Sequence, residues 1–430
     1  MHERLVGWRG GRISVRGLGG NRAGEMRITR FLHNSRVSVA EIMAQAFART
    51  AARCGGRHVL ALQDTSMVRA DASGAGVALH PVLAVDATDG AVLGLCDAEI
   101  MVRTGGARAT RKVRAFEDKQ SHRWLRGTRS AARLRDGSTS HAAACVTVVC
   151  DREGDIYEEF ALRPAAVELL IRAGQDRRLP GGGTLFAHTD ALPVMGRMQV
   201  DLPATPGRKA RTAELELRFD SVKIVQPQRS KSAHCEASAK AEPALPAQLT
   251  LTVVDAREVG VPAGQAPAHW RLLTTHPVQD VADARRITHW YRLRWTIEQL
   301  FRTLKTQGFD VEATRQIAGG PLENLTAVVL CAAVTVMQLV HERDGIAKRP
   351  IEDVVDADDW PVLAKLCAAS EGKTAKQKNP HPPNSLAYAA WVFARLGGWT
   401  GYYGKPGPIV MLRGLQHFHA IKHGWNLRLV

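Results

Sequence analysis

Three carboxylates from distant parts of this 430-residue chain could act together on a phosphodiester. Asp64 ends the apolar run HVLALQD, Asp151 ends the run AACVTVVCD, and Glu298 lies within residues 291–305, YRLRWTIEQLFRTLK. Such carboxylates suit two Mg²⁺ ions about 3.5–4 Å apart, one activating a water or 3′-hydroxyl and one stabilising the leaving oxygen. Either aspartate alone is more often a turn or N-cap residue. Because three unpaired carboxylates repel one another, the cluster indicates metal binding.

Residues 291–305 are predicted to form one helix with a polar and an apolar stripe. At 100° per residue, one narrow face carries a phenol, two cations and a carboxylate, which are Tyr291, Arg294, Lys305 and Glu298. A second stripe has the spacing of a face packed on a core: Leu293, Ile297, Leu300 and Leu304. A solvated helix face is the alternative, because Arg294–Glu298 and Glu298–Arg302 have the spacing of exposed i,i+4 ion pairs.

The charge balance favours a polyanionic partner. The chain has 58 Lys+Arg against 42 Asp+Glu, a net charge of +16. The basic residues are spread along the chain, which favours nucleic acid over a membrane surface. Seven scattered cysteines without a C-x-x-C pair indicate neither disulfides nor zinc and fit a reducing cytoplasm. No apolar signal segment is present and the longest apolar run, 325–340, is short for a bilayer, so we expect a buried helix and no membrane.

The pattern of apolar residues predicts an α/β fold. Short strands, a hairpin turning at Asp89-Gly90, and a helix before the second aspartate follow the order of an RNase H-like core. Period-2 alternation between about 176 and 275 predicts an antiparallel β-strand insertion between the second aspartate and the glutamate. A helix over 279–307 would complete the core, and a C-terminal helical segment would follow it.

Three local motifs resemble those of the DDE transposases of the insertion-sequence-four family, which includes the Tn-five-type transposase. They are QDTS at 63–66, DREGDIY at 151–157, and Y-x2-R-x3-E-x6-K over 291–305. The last is similar to the YREK signature of that family, and four fixed residues over fifteen positions make it specific. RFLHN at 30–34 and SLAYAAWVFARLGGW at 385–399 are similar to flanking segments, so the resemblance runs from about residue 30 to the C-terminus.

The resemblance implies a DNA transposase. Asp64, Asp151 and Glu298 match the metal-binding catalytic triad, which would hold two Mg²⁺ ions, with Mn²⁺ as a substitute. The implied reaction is cut-and-paste transposition of double-stranded DNA, by cleavage at the transposon end, a hairpin intermediate and strand transfer into target DNA. The implied assembly is a homodimer in a synaptic complex in the bacterial cytoplasm, associated with the nucleoid.

The resemblance also implies DNA contacts. Three of them match residues that hold the DNA backbone near the metals, and their side chains suit phosphate binding: Tyr291, Arg294 and Lys305. Arg172 corresponds to a phosphate-binding arginine, with an ordinary surface arginine as the alternative. Trp270 matches a tryptophan that stacks on a flipped base, with a core tryptophan as the alternative. Arg302 is expected to contact phosphate or to form a helix salt bridge.

The N-terminus departs from the family pattern. Relatives carry several tens of residues more before the RFLHN-like segment, whereas residues 1–25 here are rich in Gly and Arg and are expected to be poorly ordered. We therefore expect an N-terminal truncation that weakens specific binding of the transposon end. Two other functions stay open: a non-catalytic DNA-binding or inhibitor form of such a transposase, and a stand-alone RNase H-like nuclease.

Five segments are expected on this basis. Within the third of them, the Ser/Lys/Ala/Pro-rich stretch 227–246 predicts an exposed loop. The segments are an N-terminal remnant at 1–55, partly disordered and then helical; the first part of the core at 56–175; the β-rich insertion at 176–278; the catalytic helix and core completion at 279–345; and a helical dimerisation segment at 346–430.

Overall fold

The computed structural model describes residues 1–7, 13–70, 76–103, 121–136, 141–204, 209–227, 244–313, 319–402 and 404–427. The chain divides into two compact units. Unit 1 comprises Met1–Arg53, Thr65–Gly105 and Trp295–Val430, and unit 2 comprises Cys54–Asp64 and Gly106–Arg294. Each unit combines parts of several predicted segments, so the five segment boundaries stay a prediction.

The described residues contain both strands and helices. The strands are β1 His58–Gln63, β2 Ser66–Ala70, β3 Gly76–Asp86, β4 Val92–Arg103, β5 Cys145–Cys150, β6 Glu168–Arg172, β7 Gly196–Leu202, β8 Arg211–Val225, β9 Gln248–Val259 and β10 His269–Thr274. The α-helices are α1 His2–Val6, α2 Val15–Gly19, α3 Arg22–His33, α4 Val39–Cys54, α5 His122–Ala132, α6 Tyr157–Ala161, α7 Leu185–Ala191, α8 Val281–Leu293, α9 Trp295–Leu304, α10 Gly320–Glu342, α11 Trp360–Ser370, α12 Leu386–Leu396 and α13 Pro408–Leu427.

Unit 2 is built on a large, mostly antiparallel sheet. Its strand order is β1-β5-β6-β10-β9-β8-β7. The pairs β1–β5 and β5–β6 are parallel, and the remaining pairs are antiparallel. Strands β1 and β5 are continuous apolar runs because they are buried along nearly their whole length. Helix α5 packs on both of these strands, and its position at 122–132 confirms the predicted helix before the second aspartate.

The predicted antiparallel region is present, but it is hydrogen-bonded into the same sheet as the parallel strands. Strand β10 pairs with β6 on one side, Leu272 lying opposite Arg172, and with β9 on the other. The region also contains a helix, α7, where only strands were predicted. That helix is short, and Leu185 and Thr189 are its buried residues, so it left no helical period in the sequence. The predicted loop at 227–246 lies mostly outside the described residues.

Unit 1 combines a small antiparallel sheet with helices around α10. Strands β3 and β4 form the predicted hairpin, and Gly90 in its turn has φ +75°. Strand β2 pairs with β3 and was not predicted, since its five residues are interrupted by a register shift. The described cysteines in both units carry free thiols, and Cys235 lies outside the described residues.

Helix α10 is the core helix of unit 1. It packs against β4, α9, α12 and α13, and most of its side chains are buried. Its 23 residues make it long and apolar enough to cross a membrane, but 89% of its most apolar stretch is buried inside the protein. The predicted buried helix at 325–340 is therefore confirmed, with longer bounds.

The N-terminal residues are more regular than predicted. Instead of a poorly ordered segment before residue 25, the described residues form α1 and α2 and the start of α3. Leu5 and Val6 are almost completely buried, and α1 packs against α10 and α13. The partial disorder expected within residues 1–55 stays a prediction.

Candidate active site

Asp64, Asp151 and Arg172 lie in a row along one edge of the unit 2 sheet. The β1–β5 ladder ends with Gln63 opposite Cys150, and the β5–β6 ladder places Cys150 opposite Ile171. Asp64, Asp151 and Arg172 each come directly after one of these three residues in the chain. Because parallel strands end at the same edge, the two acids and the arginine are neighbours. The predicted location of both aspartates at strand ends is confirmed.

Arg294 forms an ion pair with the first of these aspartates. Its Nη1 lies 3.1 Å from Oδ2 of Asp64, and the side chains are only 9% and 17% exposed. The same guanidinium lies 5.7 Å from the centre of the Tyr291 ring. This arrangement contradicts the solvated-face alternative for Arg294, because the group is buried against residues of the sheet edge.

Tyr291 lies beside the two arginines of the site. Its side chain is buried, and the charges of Arg172 and Arg294 both act on its hydroxyl. Burial raises the pKa of Tyr291, against the effect of the two cations. Burial also lowers the pKa of Arg172, although Tyr291 acts in the opposite direction. The phenol therefore stays protonated at neutral pH and keeps a hydroxyl proton to donate.

Trp270 completes this cluster within unit 2. Its ring centre lies 6.1 Å from that of Tyr291, with the planes tilted by 57°. Arg172 is held close by, because its Nη2 donates to the carbonyl oxygen of His269 at 2.8 Å. Trp270 is half-buried, so it is neither a core tryptophan nor a free surface ring. Six predicted site residues thus belong to one sheet edge: Asp64, Asp151, Arg172, Trp270, Tyr291 and Arg294.

The predicted single helix over 279–307 is two helices. Helix α8 ends at Leu293, and the backbone N–H of Arg294 bonds to the carbonyl of Tyr291, three residues back, which tightens the turn. Helix α9 belongs to unit 1 and buries Ile297, Leu300 and Leu304 as predicted. Residues 291–305 are therefore divided between two helices, and Tyr291 is almost completely buried, contrary to the solvated-face alternative.

The remaining predicted residues lie in unit 1. Glu298 is half-buried on α9, and Arg302 is exposed on the same helix. Lys305 follows the end of α9, and its Nζ lies 3.0 Å from Oε1 of Glu312. No ion pair involves Arg302 among the described residues, so its predicted helix salt bridge is not formed there.

The two aspartates fit a magnesium ion by chemistry. Mg²⁺ takes oxygen ligands, keeps several waters, and is usually held by one or two carboxylates together with substrate phosphates. Oδ1 of Asp151 accepts from the backbone N–H of Glu153 at 2.8 Å, so this carboxylate is also an N-cap and is held in one orientation. Within either unit, the described residues contain no cluster of three or more His, Cys, Asp or Glu suited to a metal. The predicted third ligand, Glu298, comes from unit 1.

Sequence reasoning missed a buried polar network behind the sheet edge. Gln63 Nε2 donates to Thr128 Oγ1 at 3.1 Å, and Thr128 donates to Oε1 of Glu159. All three residues are fully buried, and Oε2 of Glu159 has no hydrogen-bond partner among the described residues. Burial raises the pKa of Glu159 to about 7, against the Thr128 hydrogen bond. The network could not be predicted from a sequence pattern, because its three residues lie on separate elements, β1, α5 and α6.

Glu159→Gln is expected to stabilise the protein at pH 8 and to leave it almost unchanged at pH 4.5. In the unfolded chain Glu159 ionises near pH 4.5, whereas in the folded protein it keeps its proton to about pH 7. Its contribution to folding stability is therefore undiminished below pH 4.5 and is lost as the pH rises to 7. The loss is about 3 kcal/mol. Urea unfolding of both proteins between pH 4.5 and 8 measures the difference.

The neighbouring Glu158→Gln is the control for this experiment, since it makes the same chemical change on α6 at a partly exposed position. Its unfolding free energy should follow that of the unmodified protein across the pH range. If Glu159→Gln also follows it in parallel, the carboxyl group of Glu159 does not carry the raised pKa.

The fold and the site define a mixed α/β protein with a large, mostly antiparallel sheet, compatible with an RNase H-like domain. A family model described as "Transposase DDE domain" matches residues 106–334, more than half of the chain. The chain belongs to the transposase DDE domain family. Membership implies DNA as the substrate and strand cleavage for transposition, for which such enzymes generally use divalent metal ions. The match contains every predicted site residue except Asp64, which precedes it.

Proposed function

We propose that this protein is a DDE transposase of the insertion-sequence-four type, which cuts and joins DNA with Mg²⁺. The observation that carries the proposal is the row Asp64–Asp151–Arg172 at one sheet edge, with Arg294 and Tyr291 packed against it. Two acids beside two guanidinium groups are suited to a phosphodiester, because the acids bind a metal ion and the arginines bind phosphate oxygens.

In this proposal, Asp64 and Asp151 hold the metal together with Glu298. Two bound Mg²⁺ ions, or Mn²⁺ in their place, would activate the attacking hydroxyl and stabilise the leaving oxygen. Arg294 has a second task before metal binds, since its charge offsets that of Asp64 in a site where carboxylates repel each other. The N-cap bond fixes the carboxylate of Asp151 in advance.

The arginines and the aromatic residues would orient the DNA. Arg172 and Arg294 offer N–H groups to the scissile phosphate, and the protonated hydroxyl of Tyr291 donates to a neighbouring phosphate oxygen. Trp270, half-buried beside Tyr291, has the ring on which an unpaired base can stack. Lys305 and Arg302 would contact the backbone from unit 1. This arrangement supports a hairpin intermediate at the transposon end, followed by strand transfer into the target.

The assembly is part of the same proposal. We infer a homodimer that brings two transposon ends together in a synaptic complex, with the segment 346–430 contributing to the dimer. The protein would act in the cytoplasm at the nucleoid.

Incubation of the purified protein with a duplex carrying its inverted repeat and a supercoiled target tests the function. We expect Mg²⁺-dependent nicking, a hairpin end and joined products, and no reaction in EDTA. Binding without nicking would instead support the non-catalytic or inhibitory form. Nicking without hairpins or joined products would support a stand-alone nuclease. Tighter binding of the inverted repeat than of scrambled duplex, at a fixed 0.15 M salt (about physiological), would show that the protein recognises the transposon end specifically.

A further inference from the structure

A buried carboxylate lies behind the two strand ends that carry the aspartates. Gln63 and Cys150 are register partners at the ends of β1 and β5, and each directly precedes one of the aspartates. Partners across a ladder point to the same face of the sheet. The Gln63 side chain bonds to Thr128 on that face, and α5, which carries Thr128, packs against β1, β5 and α6. Glu159 on α6 closes the network.

The second strand end is packed against the same helix. Cys150 is completely buried, and α5, which contacts α6, also packs against β5. Gly154 packs closely against Cys150, because a Cβ added to Gly154 would lie 2.5 Å from the Cβ of Cys150. The strand ends before Asp64 and Asp151 are therefore both supported from the face that α5 and α6 cover.

We propose that Glu159 is a positioning residue for Asp64 and Asp151, acting through Thr128 and Gln63 on the ends of β1 and β5. The proposal rests on the proposed function, since it assigns to this network the support of the metal-binding carboxylates. Outer hydrogen bonds of this kind set the orientation of metal ligands, and their loss typically costs about 10- to 100-fold in activity or metal affinity.

The composition of the network favours this role over simple core packing. A fully buried carboxylate, one of whose oxygens has no hydrogen-bond partner in the described part of the chain, costs folding free energy, and an apolar residue of the same size would cost less. Thr128 and Gln63 are also fully buried, so their polar groups cannot hydrogen-bond to solvent water. A chain of directional bonds that ends next to a strand terminus restricts that terminus more tightly than apolar contacts do.

Four variants test the proposal. Thr128→Val removes the central hydroxyl at nearly constant shape, Glu159→Leu removes the acceptor, and Glu159→Gln keeps an oxygen to accept the Thr128 hydroxyl. Thr189→Val is the matched control, because Thr189 is equally buried in unit 2 and its hydroxyl donates to the Leu185 carbonyl within its own helix, α7. For each protein, kcat and KM of Mg²⁺-dependent nicking, the Mn²⁺ dissociation constant by calorimetry, and the unfolding midpoint are measured.

We expect Thr128→Val and Glu159→Leu to lower kcat by about 10- to 100-fold and to weaken Mn²⁺ binding about 10-fold, with KM for DNA within about twofold. Glu159→Gln should keep kcat within about threefold at pH 7, which a requirement for the charge itself would not allow. Thr189→Val should leave kcat and Mn²⁺ affinity unchanged even where its unfolding midpoint falls. Equal behaviour of Thr128→Val and Thr189→Val, at temperatures where both are folded, would overturn the positioning role.

Failure of the proposed function gives a different result. If the unmodified protein does not nick DNA, the transposase proposal fails, and Mn²⁺ affinity alone decides the inference. Weaker Mn²⁺ binding by Thr128→Val than by Thr189→Val would then still support positioning of the aspartates. Equal Mn²⁺ affinities, or no Mn²⁺ binding by any of the proteins, would overturn it.

Discussion

Glu298→Gln is expected to lower Mg²⁺-dependent DNA cleavage by at least about 10³-fold while DNA affinity stays within about twofold. The change keeps the size of the side chain on α9 and replaces a carboxylate ligand by a neutral amide. If Glu298 is the third metal ligand, its loss removes about 4 kcal/mol of transition-state stabilisation, because one of two metal positions is no longer held. Single-turnover nicking and fluorescence anisotropy, both at one salt concentration, measure the two quantities.

Glu323→Gln provides a control for the chemical change. Glu323 is a half-buried glutamate in the first turn of α10, also in unit 1, and has no assigned role. Its nicking rate should stay within about twofold of the unmodified protein, since a surface substitution of this kind changes stability by about 0.5 kcal/mol. Residual nicking by Glu298→Gln within tenfold of that control would remove Glu298 from the metal site.

Arg294→Met is expected to lower cleavage about 100-fold and to make the protein depend more strongly on metal for its stability. The substitution keeps an unbranched apolar stem but removes the guanidinium whose Nη1 lies 3.1 Å from Oδ2 of Asp64. A carboxylate that is 17% exposed then loses its cation, which costs about 2 kcal/mol without metal. Mn²⁺ or Mg²⁺ should therefore raise the melting temperature of this variant more than that of the unmodified protein.

The double variant Asp64→Asn/Arg294→Met is the control for this effect. Removing both charges should restore much of the stability lost by Arg294→Met, because the remaining amide has no charge to compensate. Its cleavage should not recover, because the metal ligand is gone. An unfolding midpoint of the double variant below that of Arg294→Met would show that packing of Arg294, and not its charge, supports the site.

The sequence predicted the strand-end aspartates because their signal is local. Each of the two parallel strands is a short apolar run that ends in a carboxylate, and Asp89-Gly90 marks a hairpin turn without reference to the rest of the chain. The antiparallel strands were found for the same reason, since period-2 alternation depends on one buried face. The pairing of β10 with β6 could not be predicted, because an alternating pattern does not indicate which strand lies next to it.

The parts that failed depend on long-range contacts. The break at Arg294 follows a tightened turn beside an ion pair with a residue 230 positions away, which no helical period contains. Burial of Tyr291 arises in the same way. The Gln63–Thr128–Glu159 network joins three elements through side chains that look unremarkable in isolation. Propensity and periodicity describe neighbours along a chain, whereas these features are set by neighbours across the sheet.

The hydrogen bonds between β6 and β10 also limit how the protein could be shortened. Deleting the antiparallel strands to obtain a minimal core would remove the partner of β6 and leave its N–H and C=O groups unpaired. That bare edge would begin beside Arg172 and would offer a template for pairing with another chain. The antiparallel region therefore covers the edge of β6, and a shortened protein would need a new cover for that strand.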